Sequence, residues 1–170
     1  MERRQAQRVA PETTGPRKER LGRCPGRPPL ILYLDTSSLV KLYVEESGSA
    51  DVERLVGEAS LACTSVIAYA EARSALARLC REGSLSAEEH QLAKADLEAD
   101  WPHFLALEIS PAVWRNAGDL AETHALRGFD GLHLASFLYL ASANLGEPVR
   151  FSSFDERLNR AARAETERRP

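Results

Sequence analysis

Asp35 closes an apolar run, Leu30 to Leu34, and three hydroxyl residues follow it: Thr36, Ser37 and Ser38. Three further acids stand at comparable places. Glu71 sits among Ile67, Ala68, Ala70, Ala72 and Ala75, where a carboxylate is costly unless it has a partner. Asp130 follows the Arg127-Gly128 break and opens an apolar segment with Leu134, Phe137 and Leu138. Asp155 comes just after another short run that ends at Ser152. Carboxylates drawn together repel, and their pKa values rise unless a cation sits between them. An oxygen-only donor set favours a hard divalent ion, Mg2+ or Mn2+, over zinc. Such an ion keeps waters, binds phosphate oxygens and acidifies water for attack on phosphorus. Asp35, Glu71, Asp130 and Asp155 are therefore the candidate catalytic and metal-binding residues.

Each has a purely structural alternative. Asp130 and Asp155 fall in first helical turns, where the helix dipole favours an acid whatever its function. Glu71 can pair with Arg78 or another base. Ser37 and Ser153 each stand two residues from an acid, and each reads either as a helix cap or as a group holding water or phosphate. Arg127 reads as a neutralising or substrate-contacting cation, or as a plain loop arginine. The four histidines show no ligand spacing. His133 reads as a packed or partner-bonded residue rather than a base.

Strands and helices alternate around these acids. The run to Leu34 has no polar alternation, as in a strand covered on both faces. Ser37 or Ser38 can cap a short helix to about Val44. A helix at about 49–58 and a short strand at Leu61 to Thr64 come next. Ser65 then starts a helix that reaches Arg81 and stops at Gly83. Ser86 and Glu89 form a capping-box pattern before a charged helix that ends near Trp101-Pro102. Phe104 to Ile109 is a third strand. Ser110-Pro111 starts a helix to about Leu126, and Phe129 to Asn144 is an apolar helix central to the core. Pro148 to Ser152 is a fourth strand, and Phe154 to Ala164 a terminal amphipathic helix. This alternation predicts a parallel sheet covered on both sides, with right-handed crossovers. Asp35 and Asp155 then share the carboxyl edge of the sheet, where α/β folds bind ligands.

The chain has 170 residues, a size that suits one domain. Its apolar fraction of 44% and charged fraction of 28% are those of a soluble globular protein. The net charge of −3 hides an asymmetry: residues 1–30 hold eight Lys/Arg and three Glu, and the remainder carries −8. An acidic body argues against nucleic-acid binding by bulk charge alone. It leaves room for a nuclease in which cations bridge carboxylates to phosphates. Residues 1–29 are expected to be a disordered basic extension, with too little apolar content to offset chain entropy. A folded domain is expected over 30–164 and a tail over 165–170. Cys24, Cys63 and Cys80 have no metal spacing, which suits a reduced, cytoplasmic chain. Neither a membrane-spanning run nor a signal-peptide apolar region is present in the sequence.

Leu34-Asp35-Thr36-Ser37, Ala70-Glu71, the segment from Leu126 to Ala135 and Phe151-Ser152-Ser153-Phe154-Asp155 together resemble the PIN-domain signature. The nearest resemblance is to VapC-like toxins of type II toxin–antitoxin modules, over about residues 30–163. It implies a three-layer α/β/α fold around a central parallel sheet of four to five strands. It implies an Mg2+- or Mn2+-dependent endoribonuclease, with Asp35, Glu71, Asp130 and Asp155 as metal-binding acids assisted by Ser37 or Ser153. It also implies a homodimer and a cognate VapB-like antitoxin. The chain departs from the pattern in its basic extension and in lacking an apolar run after Ala164 for a further strand. Two other readings remain. One is a phosphatase of the haloacid-dehalogenase type with Asp35 as nucleophile, although that chemistry usually wants a second Asp where Ser37 stands. The other is a catalytically inert PIN-like scaffold that binds RNA or an antitoxin.

Overall fold

β1 (Ile31–Leu34) is buried along its whole length, and its side chains feed two separate cores. Leu32 and Leu34 join one hydrophobic cluster, while Ile31 and Tyr33 join the other. This division follows from the two-residue period of a strand, and it makes β1 the middle of three layers. The computed structural model describes residues 29–143 and 146–168. The extension expected over 1–29 thus lies outside the described residues except for Pro29.

Three more strands complete the sheet: β2 (Leu61–Ser65), β3 (Leu105–Leu107) and β4 (Val149–Ser152). Their order is β3-β2-β1-β4, and every pairing is parallel. The first core is closed by α1 (Thr36–Val40), α2 (Ser49–Glu58), α3 (Ile67–Arg81) and α4 (Ala87–Asp100). The second is closed by α5 (Pro111–His124), α6 (Gly128–Ala143) and α7 (Glu156–Glu167). The chain steps outward from β1 to β2 to β3, then crosses back to β4 on the far side of β1. Right-handed crossovers in opposite directions must place their helices on opposite faces, and the two cores are distributed in that way. The reversal creates a switch point between β1 and β4, and an α/β sheet forms its binding crevice at the carboxyl side of such a point.

Several boundaries differ from those expected. β3 covers only Leu105–Leu107, because it sits at the edge and the 3-10 turn Trp101–His103 consumes the residues before it. α1 stops at Val40, four residues early, and turns carry the chain to α2. α7 runs to Glu167, so part of the expected 165–170 tail is helical. Its Asp155 cap and buried Leu158, Ala161 and Ala162 anchor the helix, and Thr166 Oγ1 donates to Ala162 O (2.9 Å) in the last turn. The capping box of α4 is formed as expected: Ser86 Oγ accepts from Glu89 N, and Glu89 accepts from Ser86 N.

α6 is buried almost all round, with Leu134, Ala135, Phe137, Leu138 and Leu140 in the second core. It lies close against α5 because residue 131 is glycine. A Cβ there would stand 2.6 Å from the carbonyl oxygen of Ala117. Cys63 and Cys80 are free thiols. No helix among the described residues is long and apolar enough to cross a membrane.

Candidate active site

Asp35 continues the β1–β4 ladder one residue past the strand, its N–H donating to Ser152 O at 3.1 Å. Its backbone is extended (φ −74°, ψ 175°), so the side chain folds back and caps α1. The carboxylate accepts from Ser38 N at 2.9 Å. The expected caps, Ser37 and Ser38, are therefore displaced by the acid itself, which stands where the strand turns into the helix. Ser37 Oγ instead donates to the Asp35 carboxylate, at 2.7 Å to Oδ1 and 3.0 Å to Oδ2. Ser153 Oγ donates to Oδ2 at 2.7 Å. Asp35 is 4% exposed. Burial raises its pKa, and the hydrogen bonds from Ser153, Ser38 and Ser37 together with the nearby His133 oppose the rise.

The same two serines tie in the β4–α7 loop. Ser37 Oγ accepts from Phe154 N (2.8 Å), and Ser153 Oγ accepts from Asp155 N (3.0 Å). Asp155 caps α7 by accepting from Leu158 N at 2.9 Å. The cap reading and the site position thus coexist in Asp155. The Phe154 ring is clasped from the other side. Lys41 Nζ lies 4.3 Å from its centroid, and Gly48 (φ +91°) leaves the space the ring needs. Deeper in, Thr64 Oγ1 donates to Leu34 O (2.7 Å), and Ser38 and Ser152 share a buried hydroxyl contact (2.9 Å). The carboxyl ends of β1, β2 and β4 are held together by hydroxyl groups.

Glu71 projects from α3 beside α1. Thr36 Oγ1 donates to its Oε2 at 2.5 Å, and His133 Nε2 is 2.9 Å from the same oxygen. Burial alone would raise the Glu71 pKa; hydrogen bonds from His133 and Thr36 outweigh it and hold the carboxyl below its ordinary value. Of the alternative partners, Arg78 or another base, it is His133 that bonds Glu71, delivered by α6 from the opposite side of the sheet. Arg78 lines the same groove as Glu71, a cleft of about 510 Å3 whose wall also includes Thr36, Ser74 and Phe129. Phe129 is 58% exposed.

Asp130 is in the first turn of α6 and accepts a long bond from Arg127 N at 3.4 Å. Burial raises its pKa; the negative charges of Asp155 and Glu71 add to the rise, while the Arg127 backbone and charge oppose it. Asp130 therefore senses two acids brought by α3 and by the β4–α7 loop, which lie far apart in sequence. Arg127 is exposed and acts on Asp130 as a neutralising cation. Asp35 and Asp155 stand at the carboxyl edge of β1 and β4, with Ser153 Oγ bonded to both, while the charges of Asp155 and Glu71 act on Asp130. Tyr33 and Thr36 were not singled out from sequence. Their signals were present: Thr36 adjoins Asp35, and Tyr33 shares a strand face with the site's own edge. His133, read as partner-bonded, is 3% exposed and fully partnered.

The donor chemistry fits a hard divalent cation. The four acids offer only carboxylate oxygens; burial raises the pKa of Asp35, and burial with the charges of Asp155 and Glu71 raises that of Asp130. Among the described residues no group of three or more His, Cys, Asp or Glu side chains is placed so that it could hold a metal ion.

The family model for the PIN domain matches residues 32–164. The chain belongs to the PIN domain family. Its relatives include Ribonuclease VapC45 of Mycobacterium tuberculosis (strain CDC 1551 / Oshkosh) and Ribonuclease VapC49 of Mycobacterium tuberculosis (strain ATCC 25618 / H37Rv). Each is 38% identical over 138 residues, spanning 79% of this chain and 90% of the relative. The fold is also similar to that in the crystal structure of FitAcB from Neisseria gonorrhoeae. The TM-score is 0.57 at 21% identity, over 78% of this chain and 93% of that one. The three-layer, all-parallel α/β architecture expected from the sequence is therefore the observed one.

Proposed function

We propose that this protein is a metal-dependent endoribonuclease and the toxin of a type II toxin–antitoxin module. The observation that carries the reading is 38% identity to two proteins named ribonucleases, supported by Asp35 and Asp155 at the switch-point edge and by the charges of Asp155 and Glu71 acting on Asp130. Asp35, Glu71, Asp130 and Asp155 would hold Mg2+ or Mn2+. When bound, such an ion supplies positive charge that binds the scissile phosphate and lowers the pKa of a water.

The chain's own residues do the rest. Ser37 and Ser153 lock the Asp35 carboxylate from two sides, so it presents one orientation to the substrate edge. Thr36 and His133 do the same for Glu71. Arg127 offsets the crowding of Asp130 and stands at the rim, where a phosphate of the RNA strand can approach. The groove beside Glu71 gives the strand a path to the acids. Net hydrolysis consumes one water and breaks one P–O bond. The partners implied are an RNA substrate, a VapB-like antitoxin that blocks the acidic edge, and a second copy of this chain in a homodimer.

The PIN-domain match over residues 32–164 counts against the phosphatase reading. The test is RNA cleavage by the purified chain with Mg2+ or Mn2+, with EDTA, and with Asp35→Asn in the presence of metal. Cleavage that needs the metal and disappears in the variant is expected. Equal cleavage by parent and variant would overturn the reading.

A further inference from the structure

His133 lies deep in α6, yet its ring is the only imidazole among the described residues that joins a core strand to an acid of the site. Its Nδ1 is 3.0 Å from Tyr33 Oη, and its Nε2 contacts both Glu71 Oε2 (2.9 Å) and Thr36 Oγ1 (3.0 Å). The tautomer follows from what each partner can do. A carboxylate can only accept, so the Nε2 that stands 2.9 Å from Glu71 Oε2 carries the hydrogen. Thr36 gives its own hydrogen to Glu71 Oε2, so its oxygen can share the Nε2 hydrogen. In a neutral ring Nδ1 then accepts, and its donor is the Tyr33 hydroxyl. Tyr33 itself cannot turn away: its ring stacks on Phe151 at 5.8 Å and meets Phe137 at 6.1 Å and the His133 ring edge-on at 6.0 Å.

We propose that Tyr33 and His133 are positioning residues: Tyr33 sets the imidazole tautomer, and Nε2–H in turn fixes Glu71 Oε2, leaving the second carboxylate oxygen to a divalent cation in the groove. This rests on the metal-dependent reading above. It assigns roles to two residues that touch neither substrate nor metal. Partners that orient a ligand from behind typically govern metal affinity or activity by about 10–100-fold.

The test uses the full chain, cleared of metal with EDTA. Mn2+ uptake is followed by calorimetry, and ring nitrogens by NMR on histidine-labelled protein. The parent should show His133 with hydrogen on Nε2. Tyr33→Phe keeps the aromatic packing and removes only the hydroxyl. It should lose the single tautomer and bind Mn2+ about tenfold or more weakly. His133→Leu should weaken Mn2+ uptake similarly, and His133→Gln, whose amide restores an N–H near Nε2, should recover most of it. If His133→Leu does not fold, Tyr33→Phe and His133→Gln still decide the matter. The proposal is overturned if Tyr33→Phe keeps both the tautomer and parental Mn2+ affinity, or if Leu and Gln at 133 behave alike. Glu71→Gln runs in parallel. Weak Mn2+ uptake by Glu71→Gln alongside parental uptake by Tyr33→Phe sinks only the relay. Parental uptake by Glu71→Gln sinks Glu71 as a metal ligand and the relay with it.

Discussion

At the scale of single residues, Asp35 carries two duties that oppose each other. As the cap of α1 it stabilises the turn from strand to helix, whereas as a buried carboxylate it costs free energy. Its folded pKa is raised above the unfolded value, so the native state binds the extra proton. Stability is therefore lost as pH rises through the window just above the ordinary carboxylate range. Asp35→Asn keeps a good capping side chain and removes the charge. It should melt at a higher temperature than the parent at pH 7, and the gap should close as pH falls toward about 4. Thermal melts across that range check this. The same variant should lose RNA cleavage by more than the roughly 10–100-fold typical of outer partners of a metal site, read as initial rates in Mn2+. A more stable and inactive variant is the signature of an acid kept for chemistry.

At the scale of elements, two glycines decide how closely the site's carriers approach. Gly131 lets α6 lie against α5; a methyl group there would meet backbone, which cannot swing aside. Gly131→Ala should cost about 1–3 kcal/mol by urea unfolding. Gly48 combines a left-handed φ of +91° with a Cβ position 2.3 Å from the Phe154 ring. Gly48→Ala should destabilise by about 1–3 kcal/mol and reduce cleavage as well, because Phe154 lies between Ser153 and Asp155. Cleavage rates at a temperature where both variants are folded separate this effect from that of Gly131→Ala. The elements themselves were largely legible. The alternation of short apolar runs with capped helices gave α2, α4, α5 and all four strands close to their observed positions. The misses sit at joints. β3 is shorter because an edge strand has one partner to extend along. The α1 cap moved from serine to Asp35 because capping depends on backbone dihedrals that residue types do not specify.

At the scale of the whole molecule, Asp35 and Asp155 are brought together by a topology that steps one way from β1 and then returns past it. The body opposing an RNA strand is acidic, with −8 outside the first 30 residues. A divalent cation is then the natural bridge. A cation held only by the folded state stabilises it by about 2.7 kcal/mol at 100 times its Kd. Mn2+ at that level should raise the melting temperature of the parent by about 5–10 °C, and should raise that of Glu71→Gln by much less. Differential scanning calorimetry with and without Mn2+ reads both.

Residue order alone determined that Asp35, Asp130 and Asp155 fall at strand and helix ends, that Glu71 lies within a helix, and that the sheet is covered on both sides, because these depend on local pattern. Tertiary structure decided who partners whom. Ser37 of α1 and Ser153 of the β4–α7 loop came to lock one carboxylate, and His133 rather than Arg78 came to bond Glu71. Those pairings depend on the crossing of α6 behind the sheet and on the β1–β4 register, distances that no local spacing encodes.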